Sequence, residues 1–287
     1  MLSGMPVPLS SFRFTERRHG EVKGLMNSNT VRTKQRGRSR LHTGYAGVCL
    51  VFAFCLAGLR VAAEERTAPC ASVLTEWHAG EAVEEACVQV FGLERCFTAS
   101  PVPDDVWERI QGKTYRSNPY IGRGDLRHVR VLHWGKDGRI RLGEMLCNKV
   151  IADRLVEIFR LLYEARYAIE RMVLPEDYGA DDEAQMRANN SSCFCYREVA
   201  GNKKLSKHAR GLAVDINPLY NPYGRKRPDG TLHIQPANAA KYLDRSKDFP
   251  FKIDHNDLAY RLFTERGFTW GGDWRSLKDY QHFELKE

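Results

Sequence analysis

The clearest periodic pattern in the sequence predicts a long helix over residues 144–173. Apolar side chains recur there at helical spacing, and Pro175 follows at a point where a helix cannot continue. The recurring positions are Leu146, Val150, Leu155, Ile158, Phe159, Leu162, Ile169 and Met172. One face of this helix is therefore expected to lie in the core. A second, shorter helix is predicted over 256–266 and ends at Gly267.

Alternation of apolar and polar residues predicts strands on both sides of the long helix. The segments HVRVLHW and RIRLG flank a Gly/Asp turn, which predicts a hairpin within residues 105–143. Residues 212–217 and the C-terminal YQHFELK alternate in the same way. Residues 176–192 are polar and are predicted to form a loop with a solvated acidic stretch. A long helix with hairpins and short strands, and without repeats, predicts an α+β fold.

Charge divides the chain into two unequal parts. The chain of 287 residues has a formal net charge of +8, from 44 Lys and Arg against 36 Asp and Glu. Residues 1–63 hold ten of the bases and two of the acids, so the whole excess lies there and the remainder is neutral. A nucleic-acid-binding domain carries its own basic surface, so this composition argues against a nucleic-acid partner.

Residues 1–63 are interpreted as a secretory signal region. The uncharged, mostly apolar run at 45–59 follows a basic stretch, and Val61-Ala62-Ala63 offers small residues for cleavage after Ala63. Translation from Met26 would give a signal of ordinary length. An uncleaved anchor is the alternative, although fifteen residues are short for a spanning helix. We expect an exported protein of the periplasm or cell envelope, with no stable membrane span after cleavage.

Export implies an oxidising compartment, which favours disulfides over a cysteine metal site. Six cysteines follow the leader, and their pairing is open: Cys70, Cys87, Cys96, Cys147, Cys193 and Cys195. Residues 64–100 are predicted to form a small, cysteine-containing helical segment. Pro101 and Pro103 then mark a boundary, so the main domain is expected over 101–287.

Two constellations of residues indicate chemistry. In the first, His208 precedes Asp215 by seven positions, and an Asp on an otherwise apolar strand needs a cation beside it. In the second, Asp279 precedes His282 by three positions, so the backbone must bend between them if both face one site. Two imidazoles and one carboxylate are a common ligand set for catalytic zinc, and a further carboxylate can act as its general base.

These residues resemble a known family of zinc peptidases. The pattern S-x-H-x-x-G-x-A-x-D, followed by a distant acid-x-x-H, resembles the D-alanyl-D-alanine carboxypeptidases and L-alanyl-D-glutamate endopeptidases. The ending WGGDW…DxxHFE looks most like the endopeptidase branch, and the segments 189–197 and 205–223 look like extracytoplasmic, VanY-like bacterial members. The resemblance covers about residues 140–287. It implies a hedgehog/DD-peptidase-like fold, in which a small antiparallel sheet carries the zinc site and packs with helices.

The resemblance also implies a role for each residue of the pattern. His208, Asp215 and His282 would bind one Zn²⁺, and Asp279 would be the general base. Arg197 would hold the substrate and its developing oxyanion, with a structural salt bridge as the alternative. Two further side chains are expected at the substrate site. Ser206 would support its own loop by hydrogen bonding, and Trp274 would form part of the wall of the site.

The implied substrate is the stem peptide of peptidoglycan. Carboxypeptidase action on a terminal D-Ala-D-Ala and endopeptidase action both remain open. A non-catalytic cell-wall-binding module with a structural zinc is the alternative from another class, although such a module needs no residue in the role of Asp279.

Overall fold

The computed structural model describes residues 71–196 and 205–286. Its α-helices are α1 (described over 71–76), α2 (Glu85–Phe91), α3 (Asp104–Ile110), α4 (Ala152–Glu164), α5 (Asp182–Arg187) and α6 (Leu258–Glu265). Short 3₁₀ helices lie at Leu93–Cys96, Arg123–Asp125, Pro175–Tyr178, His208–Arg210, Ala237–Tyr242 and Gly271–Asp273.

The strands form three antiparallel sheets. The large sheet has the order β1-β4-β3-β2 and consists of Ala82–Val83, Ile140–Asn148, Leu126–Trp134 and Thr98–Pro101. The site sheet has the order β5-β10-β8 and consists of Ala213–Asp215, His282–Leu285 and Phe268–Trp270. The hairpin sheet has the order β7-β6-β9 and consists of Leu232–Gln235, Tyr223–Lys226 and Lys278–Asp279. The α+β prediction is confirmed.

The predicted hairpin is the centre of the large sheet. Strands β3 and β4 pair in register from Trp134↔Ile140 to Leu126↔Asn148, across the predicted Gly/Asp turn. Most residues of both strands are buried. On one side they join α4, α6 and the site sheet in the main core, and on the other side Leu126 and Leu146 join a second cluster with Val106 and Ile110 of α3.

The predicted helix over 144–173 is wrong at both ends. Residues 144–148 belong to β4, where Leu146 is buried in the cluster with Val106 and Ile110 and not on a helical stripe. Helix α4 covers only Ala152–Glu164, and Arg166 takes a positive φ of 55°, which an α-helix cannot contain. The strand was missed because its apolar residues, buried on both faces, do not alternate and therefore match a helical spacing as well.

The predicted loop over 176–192 is partly helical. The Asp181 carboxylate accepts hydrogen bonds from the backbone N–H groups of Glu183 and Ala184, so it caps the N-terminus of α5. The acidic stretch that was interpreted as solvated therefore begins a helix, where negative charge is favourable. The helix at α6, the strand at Ala213–Asp215 and the C-terminal strand all occur where the pattern predicts them.

Residues 71–100 contain the helices α1 and α2 and one 3₁₀ helix, and they also contribute to the large sheet. Strand β1 pairs with β4, and β2 pairs with β3, so this segment supplies both edges of the sheet. The disulfide prediction is wrong for four cysteines, which are buried free thiols: Cys96, Cys147, Cys193 and Cys195. Cys70 lies outside the described residues. For Cys70 and Cys87 the disulfide remains a prediction.

The predicted signal region, residues 1–63, also lies outside the described residues. Across 71–196 and 205–286, no helix has both the length and the apolar character that a membrane crossing requires.

Candidate metal site

A tight turn positions His208 at the end of β4. The Ser206 hydroxyl accepts a hydrogen bond from the backbone N–H of Ala209, and Gly211 closes the turn with a φ of 64°. A Cβ atom at position 211 would lie 2.6 Å from the backbone nitrogen of Asn148. That nitrogen donates to the Gly211 carbonyl at 2.8 Å. Glycine is therefore needed for the close approach to β4.

Strand pairing brings Asp215 and His282 together. The two residues lie directly opposite each other in the β5–β10 pair, which places their side chains on one face of the site sheet. Their neighbours Val214 and Phe283 are also opposite each other and lie fully buried in the core on the other face. The alternation of the two strands thus directs one polar pair toward the site and one apolar pair into the core.

Three side-chain atoms converge to form a nearly equilateral triangle. His208 Nε2 lies 3.1 Å from His282 Nδ1 and 3.3 Å from Asp215 Oδ1, and the third side, from His282 Nδ1 to Asp215 Oδ1, is 3.1 Å. Four ligands at about 2.0–2.1 Å around a tetrahedral zinc ion are separated from one another by about 3.3 Å. The triangle therefore fits three positions of such an ion and leaves the fourth for another ligand.

The second nitrogen of each imidazole is also held. His208 Nδ1 lies 2.6 Å from the Cys193 carbonyl oxygen, and His282 Nε2 lies 3.2 Å from Glu284 Oε2. Each of these nitrogens donates its proton to an oxygen, so the other nitrogen directs its lone pair into the triangle once the ring has lost its second proton. Metal-binding histidines almost always have such a second partner, because it fixes the tautomer and the ring orientation.

The electrostatics of the triangle favour a positive charge at its centre. Burial acts to raise the pKa of Asp215, but the two imidazoles outweigh it and hold the pKa far below its usual range. Burial acts to lower the pKa of His282, but hydrogen bonds to Asp215 and Glu284 raise it to about 10. The carboxylates thus stabilise a cation between them, and this donor set suits a divalent metal as well as a proton.

Asp279 approaches the same site from a different sheet. It lies opposite Tyr223 in the β6–β9 pair, and a turn at residues 280–281 then leads into β10, which provides the predicted bend before His282. Gly271 makes room for this turn, since a Cβ atom there would lie 2.5 Å from the Asp279 carbonyl oxygen. Burial raises the pKa of Asp279 to about 6, against the effect of a hydrogen bond from Gln281 Nε2 at 3.2 Å.

The four residues of the two sequence motifs open onto one cavity of about 480 Å³. Ser206 and Trp274 also line it, and the Trp274 ring centroid lies 5.2 Å from that of His282. The predicted substrate residue Arg197 lies outside the described residues, as does the rest of 197–204.

Sequence reasoning missed several residues that support the site. Glu284 and Gln281 contact His282 and Asp279, and both were visible only as polar positions in an alternating strand. The Cys193 carbonyl that holds His208 left no signal in the sequence, because any residue type supplies a carbonyl. Tyr223 and Arg225 line the cavity from β6, eight and ten positions after Asp215, and neither belongs to a motif that the sequence singled out.

Comparison with known families gave one match. Residues 200–285 match the family model described as D-alanyl-D-alanine carboxypeptidase. The matched segment contains the whole triangle and Asp279, so it supports the zinc peptidase family for the part of the chain that forms the site. The comparisons with curated proteins and with solved structures gave no match.

Proposed function

We propose that this protein is an exported zinc peptidase that hydrolyses an amide bond in the stem peptides of peptidoglycan. The observation that carries the proposal is the triangle of His208, Asp215 and His282 donor atoms, with the buried Asp279 carboxyl on the same cavity. The family match supports the reaction class.

The chain's residues divide the work between binding and proton transfer. His208, Asp215 and His282 would hold the zinc ion through Nε2, Oδ1 and Nδ1. When bound, zinc polarises a carbonyl and lowers the pKa of water. Asp279 accepts the proton of the attacking water as its oxygen bonds to the amide carbon. Asp279 then returns this proton to the amide nitrogen as the carbon–nitrogen bond breaks, which leaves a carboxylic acid and an amine.

The elevated pKa of Asp279 suits this double role. A carboxyl with a pKa of about 6 is a stronger base than an exposed aspartate and is still ionised at neutral pH. A zinc site that only cross-links the fold has no use for a second carboxyl held beside it, so Asp279 favours an enzyme over a binding module. Ser206 and Arg197 are proposed to support the substrate side of the site, and Trp274 to form its wall.

The test is peptide release from purified peptidoglycan, analysed by mass spectrometry, with zinc content measured on the same samples. Wild type is expected to contain about one zinc per chain and to release peptides whose masses identify the bond cut. Asp279→Asn should keep the zinc and lose about 10²- to 10⁴-fold in rate. His208→Ala should lose both zinc and activity.

A matched control separates the base from a general effect of charge. Asp273→Asn makes the same change at an aspartate whose side chain is half exposed and bonded to His255. Its release rate should equal that of wild type. Zinc binding without peptide release by wild type would favour the binding module, and equal release by wild type and Asp279→Asn would remove Asp279 from the mechanism.

A further inference from the structure

One face of the hairpin sheet forms a wall of the cavity. Tyr223 lies opposite both Asp279 and Gln235 in the register, and Arg225 lies two positions further along β6. Because side chains two apart on a strand share a face, Tyr223, Arg225, Gln235 and Asp279 all point to the same side. All four line the cavity.

The opposite face of this sheet is turned away from the site. A Cβ atom at Gly224 would lie 2.7 Å from the Leu243 side chain, so Leu243 covers that face. Lys226 lies on the same face as Gly224 and is exposed. Two neighbouring cations, Arg225 and Lys226, are therefore directed to opposite sides of one strand.

Arg225 is available to a ligand. Within the described residues its guanidinium has no ion pair and no side-chain hydrogen bond. The carboxylates of the cavity are engaged elsewhere: Asp215 contacts both imidazoles, Glu284 contacts His282, and Asp279 accepts from Gln281. A guanidinium that has no carboxylate partner among the described residues, beside a cavity whose described acids already have partners, is suited to bind an anionic group from outside.

The spacing places that anionic group close to the cleaved bond. Tyr223 is the residue opposite Asp279, and Arg225 follows it by two positions. Two residues along an antiparallel strand span about 7 Å, so the backbone of Arg225 lies about 7 Å along β6 from that of Tyr223. A flexible arginine side chain can cover this distance in either direction. In both candidate reactions the residue that leaves as the amine carries a carboxylate: D-Glu in one case, the terminal D-Ala in the other.

We propose that Arg225 binds the carboxylate of the residue on the amine side of the cleaved bond, and thereby selects substrates in which this group is ionised and unmodified. This inference rests on the proposed function, since it assigns the substrate preference of the same site. Arg225 is a specificity-determining residue in this proposal, and it takes no part in proton transfer.

The experiment uses two pairs of synthetic stem peptides with the purified protein. One pair contains L-Ala–D-Glu with the α-carboxylate of D-Glu free or converted to the amide. The other pair ends in D-Ala-D-Ala as the free acid or the amide. For the pair that is cleaved, wild type should have a KM about 10- to 100-fold lower for the free acid, as expected for a charge-assisted hydrogen bond, with a similar kcat.

Arg225→Gln should raise the KM of the free acid to that of the amide and leave the amide unchanged. Arg225→Lys should retain part of the preference. Lys226→Gln is the matched control, because it removes the same charge from the next residue on the opposite face, and it should keep the full preference. Zinc content and circular dichroism should be the same in all variants.

The outcomes distinguish this inference from the proposal on which it rests. If wild type cleaves none of the four peptides, the proposed function fails and the inference fails with it. If wild type cleaves acid and amide equally, or if Arg225→Gln and Lys226→Gln affect the preference equally, the peptidase stands and the role of Arg225 is refuted.

Discussion

Asp279 and His282 are three residues apart in the sequence and belong to two different sheets. Asp279 pairs with Tyr223 in the hairpin sheet, whereas His282 pairs with Asp215 in the site sheet. The turn at 280–281 lets both side chains reach one cavity, which a straight strand would prevent because it directs such residues to opposite faces. The junction of the two sheets thus places a buried carboxyl on the same cavity as the triangle of donor atoms.

Removal of the Gln281 side-chain amide should shift the pH dependence of activity. The amide donates to Asp279 Oδ1 and stabilises the ionised carboxylate, so Gln281→Leu should raise the pKa of Asp279. In the proposed mechanism the ionised form is the base, so activity should fall as the pH decreases through this pKa. The acid limb of kcat/KM should therefore move about 0.5–1 unit toward higher pH. Gln111→Leu, at an exposed position, should leave the limb in place.

Loss of the Glu284 carboxylate should weaken zinc binding. Glu284 accepts from His282 Nε2 and so holds the ring with Nδ1 directed into the triangle. Removing such a partner typically costs 10- to 100-fold in metal affinity, which we expect for Glu284→Ala in a competition titration against a chelator. Glu284→Gln keeps an acceptor and should cost less. An unchanged affinity in Glu284→Ala would show that His282 is oriented without it, and Glu265→Ala serves as the exposed control.

Gly271→Ala should impair activity through the backbone of Asp279. The added Cβ would lie 2.5 Å from the Asp279 carbonyl oxygen and 2.9 Å from its Cβ, so the turn must move. A displacement of about 1 Å at a catalytic group can cost about 100-fold in rate. We expect a loss of that order in kcat with zinc content retained. Gly124→Ala, where an added Cβ has no neighbour within 4 Å, should behave as wild type.

Truncation of Phe283 should destabilise the fold beneath the site. The ring is fully buried and stacks on Phe263 of α6 with centroids 4.4 Å apart. Phe283→Ala should lower the free energy of unfolding by about 3–5 kcal/mol, and Phe283→Leu by less, because it leaves a smaller cavity. Urea denaturation measures both. A loss below about 1 kcal/mol in Phe283→Ala would mean that the core re-forms around the gap.

The local pattern of the sequence was sufficient for the hairpin, for α6 and for the alternating strands at Ala213–Asp215 and His282–Leu285. It failed at residues 144–148, because a strand buried on both faces lacks the alternation that identifies a strand. It also failed at Asp181, where the acidic stretch that was interpreted as a loop caps α5.

The residue types and spacings of the sequence were also sufficient to predict that His208, Asp215 and His282 converge, because a metal site needs a particular donor set whatever the fold around it. Only the tertiary structure decided how they meet: the β5–β10 register, the turn at Gly211 against β4, and the junction of two sheets at Asp279. The partners of those residues, Glu284, Gln281 and the Cys193 carbonyl, were decided there as well. The physical reason is that hydrogen bonds between distant segments depend on distances of a few tenths of an ångström, which packing sets and local sequence does not.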